Sequence, residues 1–128
     1  MSYYINKKLN IGFEEAKSKV TELLKEEGFG VLTNIDMQQT LKNKLDVSIR
    51  PYTILGACNP EFAYHALQKE DKIGLMLPCN VLVAATEDGQ TEVAAIDPVV
   101  SMQGINNSEL HETAGEVKEK LERVINKL

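Results

Sequence analysis

Tryptophan is absent, and cysteine and histidine occur only twice each in 128 residues. Two of each could in arithmetic hold one zinc ion, but Cys58, His65, Cys79 and His111 lack the short paired spacings of structural zinc sites. Three Phe and four Tyr supply little of a base-stacking platform. The balance of 19 acidic against 14 basic side chains gives a net charge of −5. No Lys/Arg cluster offsets it, since Lys42 and Lys44 are followed by Asp46. Such a chain repels phosphate backbones, so no nucleic-acid partner is expected. No stretch approaches the roughly 18 consecutive apolar residues of a membrane helix, so no membrane partner is expected either. The start, Met1 to Lys8, lacks the apolar run of a secretory signal. These absences predict a cytoplasmic protein, in a compartment that keeps Cys58 and Cys79 as free thiols. Also missing are G-x-G-x-x-G, the Walker loop, H-E-x-x-H, G-x-S-x-G and C-x-x-C. No cofactor is therefore indicated, and the residues leave open whether the chain is an enzyme.

What is present is an ordinary globular composition, 43% hydrophobic and 26% charged. At this length it predicts a single domain over residues 1–128. Tyr3 to Leu9 reads as a first strand. After Asn10-Ile11-Gly12, the residues Phe13, Ala16, Val20, Leu23 and Leu24 fall on one helical face, with Glu14 and Glu15 where the helix dipole favours anions. Gly28 suits the left-handed position that closes the helix. Phe29 to Ile35 reads as a strand. Asp36 and Gln39 then form a capping-box pattern before a short helix carrying Met37, Leu41 and Leu45. Val47 to Gly56 reads as a third strand, with Pro51 at its start or on an edge. Asn59-Pro60 opens another helix, reaching about Lys69. Ile73 to Leu77 is an apolar strand-like run. Pro78-Cys79-Asn80 interrupts it, and Val81 to Thr86 resumes it. Asp88-Gly89 signals a two-residue hairpin, with Thr91 to Ile96 as the return strand. Asp97-Pro98 ends that strand, and Val99 to Met102 is read as a possible extension of the sheet. A long final helix starts near Asn107-Ser108, with Leu110, Ala114, Val117, Leu121, Val124 and Leu128 in one stripe. That stripe either packs on the sheet or pairs with a partner's helix. The whole predicts an α+β fold: a mixed, largely antiparallel sheet with helices mainly on one face and a long C-terminal helix.

Two similar tripeptides carry the interest: Ala57-Cys58-Asn59, followed by Pro60, and Pro78-Cys79-Asn80. Each cysteine closes an apolar strand-like run, and strand ends are where sites are usually built. Cys58 also precedes a helix N-terminus, whose amides stabilise anions and can lower a thiol's pKa. Each has a plainer reading. A free cysteine is often a small buried hydrophobe. Asn59 is explained as a cap and Asn80 as a turn residue. His65 lies off the apolar arc of its helix and His111 at the flank of the last helix's stripe, and both read as solvated side chains. Asp97 most simply ends a strand, with a role as general base as the sharper reading.

Ile54-Leu55-Gly56-Ala57-Cys58-Asn59-Pro60 and Leu77-Pro78-Cys79-Asn80-Val81 resemble the two signature segments of the family catalogued as domain of unknown function 302. The segment Asp36 to Lys42 and the closing Asp97-Pro98 are similar to it as well. The resemblance implies a compact α+β fold in small bacterial or archaeal proteins, often seen as a dimer. It implies no agreed activity and no role for the signature residues.

Three functional readings follow. In one, Cys58, Asn59, Pro60, Pro78, Cys79, Asn80 and Asp97 surround a pocket for a small molecule or a soft metal ion, thiolates suiting copper(I), zinc or iron–sulfur chemistry. In another, Cys58 is a nucleophilic or redox thiol, with Cys79 as its resolving partner. In the third, the cysteines are core, and the last helix or an edge strand makes a homodimer.

Overall fold

The structure, a computed structural model, describes residues 2–128. Five strands run β1 (Tyr4–Leu9), β2 (Gly30–Asp36), β3 (Tyr52–Cys58), β4 (Cys79–Ala85) and β5 (Thr91–Ile96). Five helices connect and follow them: α1 (Phe13–Glu26), α2 (Met37–Leu45), α3 (Pro60–Lys69), the short α4 (Pro98–Ser101) and the long α5 (Ser108–Lys127). The sheet order is β1-β5-β4-β3-β2, and every neighbouring pair is antiparallel. This is the expected α+β fold, with a purely antiparallel sheet.

Period-two alternation sends Leu55 and Ala57 of β3, Val81 and Val83 of β4, and Val93 and Ala95 of β5 to one face. There they meet Ala16, Val20 and Leu24 of α1 and Leu121, Val124 and Ile125 of α5 in one buried cluster. The final helix thus spends its apolar stripe inside its own chain. A second, smaller cluster joins Ala66 of α3, Ile73, Met102, and Leu110 and Ala114 of α5. Among the described residues no helix is long and apolar enough to cross a membrane.

Four local expectations change. Ile73 to Leu77 is not a strand but lies largely in a 3-10 helix, Asp71–Met76. Only Ile73 of its first residues is buried, while Leu75 is 85% exposed. Periodicity cannot separate the two states in so short an apolar run. Val99 to Met102 does not extend the sheet. The Asp97 Oδ1 accepts from the Val99 and Val100 amides and turns the chain into α4. The third strand begins at Tyr52 instead of Val47. The β4–β5 hairpin closes on a Thr86 amide bonded to the Gln90 carbonyl, so its loop holds three residues, not two.

Gly56 sits in the middle of β3, and a Cβ there would overlap the Thr33 hydroxyl and stand 2.8 Å from Pro78 Cγ. Overpacking of this kind costs about 1–3 kcal/mol. Gly56→Ala should lower the urea midpoint accordingly, with an unchanged m-value.

Candidate functional site

Cys58 is the last residue of β3 and Cys79 the first of β4. Cys79 therefore opens a strand instead of closing one, and antiparallel pairing still brings the two together, because Ala57 faces Cys79 directly. Above them lie α3 and α5. Between these parts is a hollow of about 40 Å³, bordered by Ala57, Cys58, Asn59, Pro78 and Cys79 from the sheet side. Phe62, Ala63 and Ala66 of α3 and Leu110, Thr113, Ala114 and Val117 of α5 form the other walls. A water centre needs roughly 10–15 Å³, so the space suits a few non-hydrogen atoms. Its walls are almost wholly apolar, and such hollows favour apolar occupants.

The two thiols differ. Cys79 is buried, and burial pushes its thiol up to about 11, with Cys58 beside it adding to the rise. Cys79 is thus a neutral thiol at ordinary pH. Cys58 is half-buried, and both cysteines are free.

Asn59 joins three elements. Its Oδ1 accepts from the Phe62 amide at 3.3 Å and caps α3, while Pro60 takes the first helical position, where no amide partner is needed. Its Nδ2 donates to the Glu27 carbonyl at 3.4 Å, just past the end of α1. Gly28 has φ of +86°, and a side chain there would come within 3.1 Å of the same Nδ2. Glu27 in turn holds Arg123 of α5 through one carboxylate oxygen at 3.1 and 3.0 Å. That contact holds the Glu27 carboxyl below its ordinary range. The ends of α1, α3 and α5 are thereby tied together beside the hollow.

Not all seven residues singled out in the sequence come together. Cys58, Asn59, Pro78 and Cys79 border the hollow; Pro60, Asn80 and Asp97 do not. Asn80 follows Cys79 on the strand, so it points to the opposite face, where it borders a trough with Tyr52 and Leu82. Asp97 is 5% exposed, caps α4, and pairs with Lys118 at 3.0 Å. Both of its carboxylate oxygens are engaged. His65 and His111 are exposed, and the His111 Nε2 donates to the Ile105 carbonyl at 2.7 Å. Among the described residues, no group of three His, Cys, Asp or Glu side chains is placed to hold a metal ion. Sequence reasoning missed the helix walls. Ala63, Ala66 and Ala114 are small residues on the helix faces that border the hollow, and their lack of bulk is what leaves the space.

The match to known proteins covers nearly all of this arrangement. Residues 5–128 match the family described as Domain of unknown function DUF302. The chain belongs to the DUF302 family. It is also similar to the crystal structure of an uncharacterized conserved DUF302 protein from Bacillus stearothermophilus, at TM-score 0.91 and 27% identity. The alignment covers 98% of each chain. No curated protein matches the sequence. The two Cys-Asn segments meet at the β3–β4 end: one carries the cap that ties α1 to α3, and both border the hollow.

Two measurements test this geometry. Asn59→Asp keeps the capping acceptor but loses the donor to Glu27, and it should cost about 1 kcal/mol, against roughly 1–2 for Asn59→Ala. The second concerns pH. An unfolded thiol titrates near 9.0, below the folded Cys79 value of about 11. The folded state therefore binds more protons, and its advantage is full below pH 9 and is lost as pH rises toward 11. The stability gap between the wild type and Cys79→Ala should shrink over that window by roughly 2–3 kcal/mol.

Proposed function

We propose that this DUF302 chain is a small-ligand binding module, and that its ligand places an apolar group in the hollow beside Cys58 and Cys79. One observation carries the reading: two Cys-Asn segments far apart in sequence border a single apolar space at one end of the sheet. Apolar walls and a neutral Cys79 favour a group that needs no charge partner. The half-buried Cys58 adds a polarizable, thiophilic rim. In this reading the chain works as one domain where both thiols remain reduced.

A soft metal ion is the second reading, favoured by the two thiols bordering one space. Copper(I) suits such a pair better than zinc, which takes four ligands. The redox reading, with Cys58 as nucleophile and Cys79 as resolving partner, is less well supported at its second step, because a buried, protonated Cys79 is a poor attacking group near neutral pH.

The test uses 1-hexanol and copper(I) as probes, followed by amide NMR and by competition with a copper(I) chelator. Hexanol should give saturable shifts at Ala57, Ala66, Cys79 and Ala114. Ala66→Leu, which fills the space while keeping the fold, should abolish them. No saturable shift at these amides defeats the apolar reading. Chelator-resistant copper(I) binding that disappears in the Cys58→Ser, Cys79→Ser double variant would install the metal reading in its place.

A further inference from the structure

On the face of the sheet turned away from α1 and α5, strand register sets two opposite charges at the same end of a trough. The cross-strand row Tyr52–Ala84–Glu92 runs from β3 to β5. Arg50, exposed and two residues before Tyr52, lies over the Tyr52 ring at 5.4 Å. Arg50 and Glu92 both border the trough, of about 410 Å³, and also the shallow depression beyond it at the β4–β5 hairpin. They therefore flank one mouth of the trough, with the buried Ala84 standing in the row between Tyr52 and Glu92. They do not pair with each other. Among the described residues, Arg50 has its ring contact and no carboxylate partner, and Glu92 accepts from Asn6 Nδ2 through Oε2 at 2.7 Å. The next row inward is Ile54–Leu82–Ala94, in which Ala94 is buried at the base and Ile54 and Leu82 present apolar surface. Tyr4 borders the far end.

We propose that this trough binds a free α-amino acid with a large apolar side chain, its carboxylate on Arg50 and its ammonium on Glu92. Charge complementarity selects this class. A guanidinium alone would draw any carboxylate or phosphate, but Glu92 at the same mouth repels a plain anion and supplies the counter-charge for a cation. A zwitterion satisfies both. Size agrees with charge. Tyr52, with Arg50 over it, and Glu92 stand two strand spacings apart, roughly 9–10 Å. The nitrogen and carboxylate oxygens of an amino acid are about 3 Å apart, and one hydrogen bond of about 3 Å on each side completes that span. The guanidinium fork matches a carboxylate through two N–H groups, and stacking on Tyr52 holds it in place. The ligand's side chain then runs inward over Ile54 and Leu82 toward Tyr4. The trough falls within the usual range of small-molecule sites, about 300–1,000 Å³. It lies on the opposite side of the strands from the hollow beside Cys58 and Cys79, and the inference does not rest on the function proposed for that hollow.

The full chain is titrated with L-phenylalanine, 3-phenylpropionate and 2-phenylethylamine, followed by amide NMR. L-Phenylalanine should give saturable shifts at Ile54, Leu82 and Ala94. The two analogues, each lacking one of the charges, should bind about tenfold or more weaker. Arg50→Gln should erase the preference for L-phenylalanine over 2-phenylethylamine, and Glu92→Gln the preference over 3-phenylpropionate. Ala66→Leu, which fills the cysteine hollow, should leave the L-phenylalanine affinity unchanged. The absence of saturable shifts at these three amides up to about 10 mM overturns the proposal. Equal affinity for the three probes overturns it, as does indifference to both charge removals. Shifts confined to Ala57, Cys79 and Ala114 also overturn it, since they place the amino acid in the hollow.

Discussion

Side chains alternate along β3, β4 and β5, and only one face of these strands is covered by helices. That constraint sorts every residue of the sheet into one of two environments. Leu55, Val81, Val83 and Val93 go under α1 and α5 and become core. Ile54, Leu82 and Ala94 go to the uncovered face. It also separates Cys79 from Asn80, adjacent in the chain, so that one borders the hollow and the other the trough. A slip of one residue in the β3–β4 pairing would exchange the two sets and expose the core.

The helices are held to this frame by their buried apolar stripes and also by polar contacts at their ends. Asn59 spans from the cap of α3 to the carbonyl past α1, and Glu27 spans from there to Arg123 of α5. Asp97 does similar work at the far end of β5, capping α4 and pairing with Lys118 of α5. Each is a polar side chain that serves a helix terminus and a tertiary contact at once. Small residues on α3 and α5 border the same space, because alanine at 63, 66 and 114 leaves a hollow of about 40 Å³ beside the cysteines.

The two sides of the sheet thus offer different chemistry. One side ends in an enclosed, nearly nonpolar space between strand termini and helices, suited to a small group. The other is an uncovered face on which Ile35, Ile54, Leu82 and Ala94 pair in line across four strands. The family assignment and the similarity to the Bacillus stearothermophilus structure establish the frame that carries both.

Local signals were sufficient for the helices α1, α2, α3 and α5, for their caps at Asp36, Asn59 and Asn107, and for the hairpin around Gly89. Each rests on a repeat or a backbone preference contained within a few residues. The α+β class followed from their order. The 3-10 helix at Asp71–Met76 and the short α4 were not legible as such, since an apolar run of five residues has no resolvable period and its state depends on which side chains the neighbouring helices receive. Cys58 and Cys79 stood out by type and setting, but only strand pairing decided that they adjoin and that Asn80 leaves them. Pairing joins residues distant in the chain, and no short window of sequence holds that information.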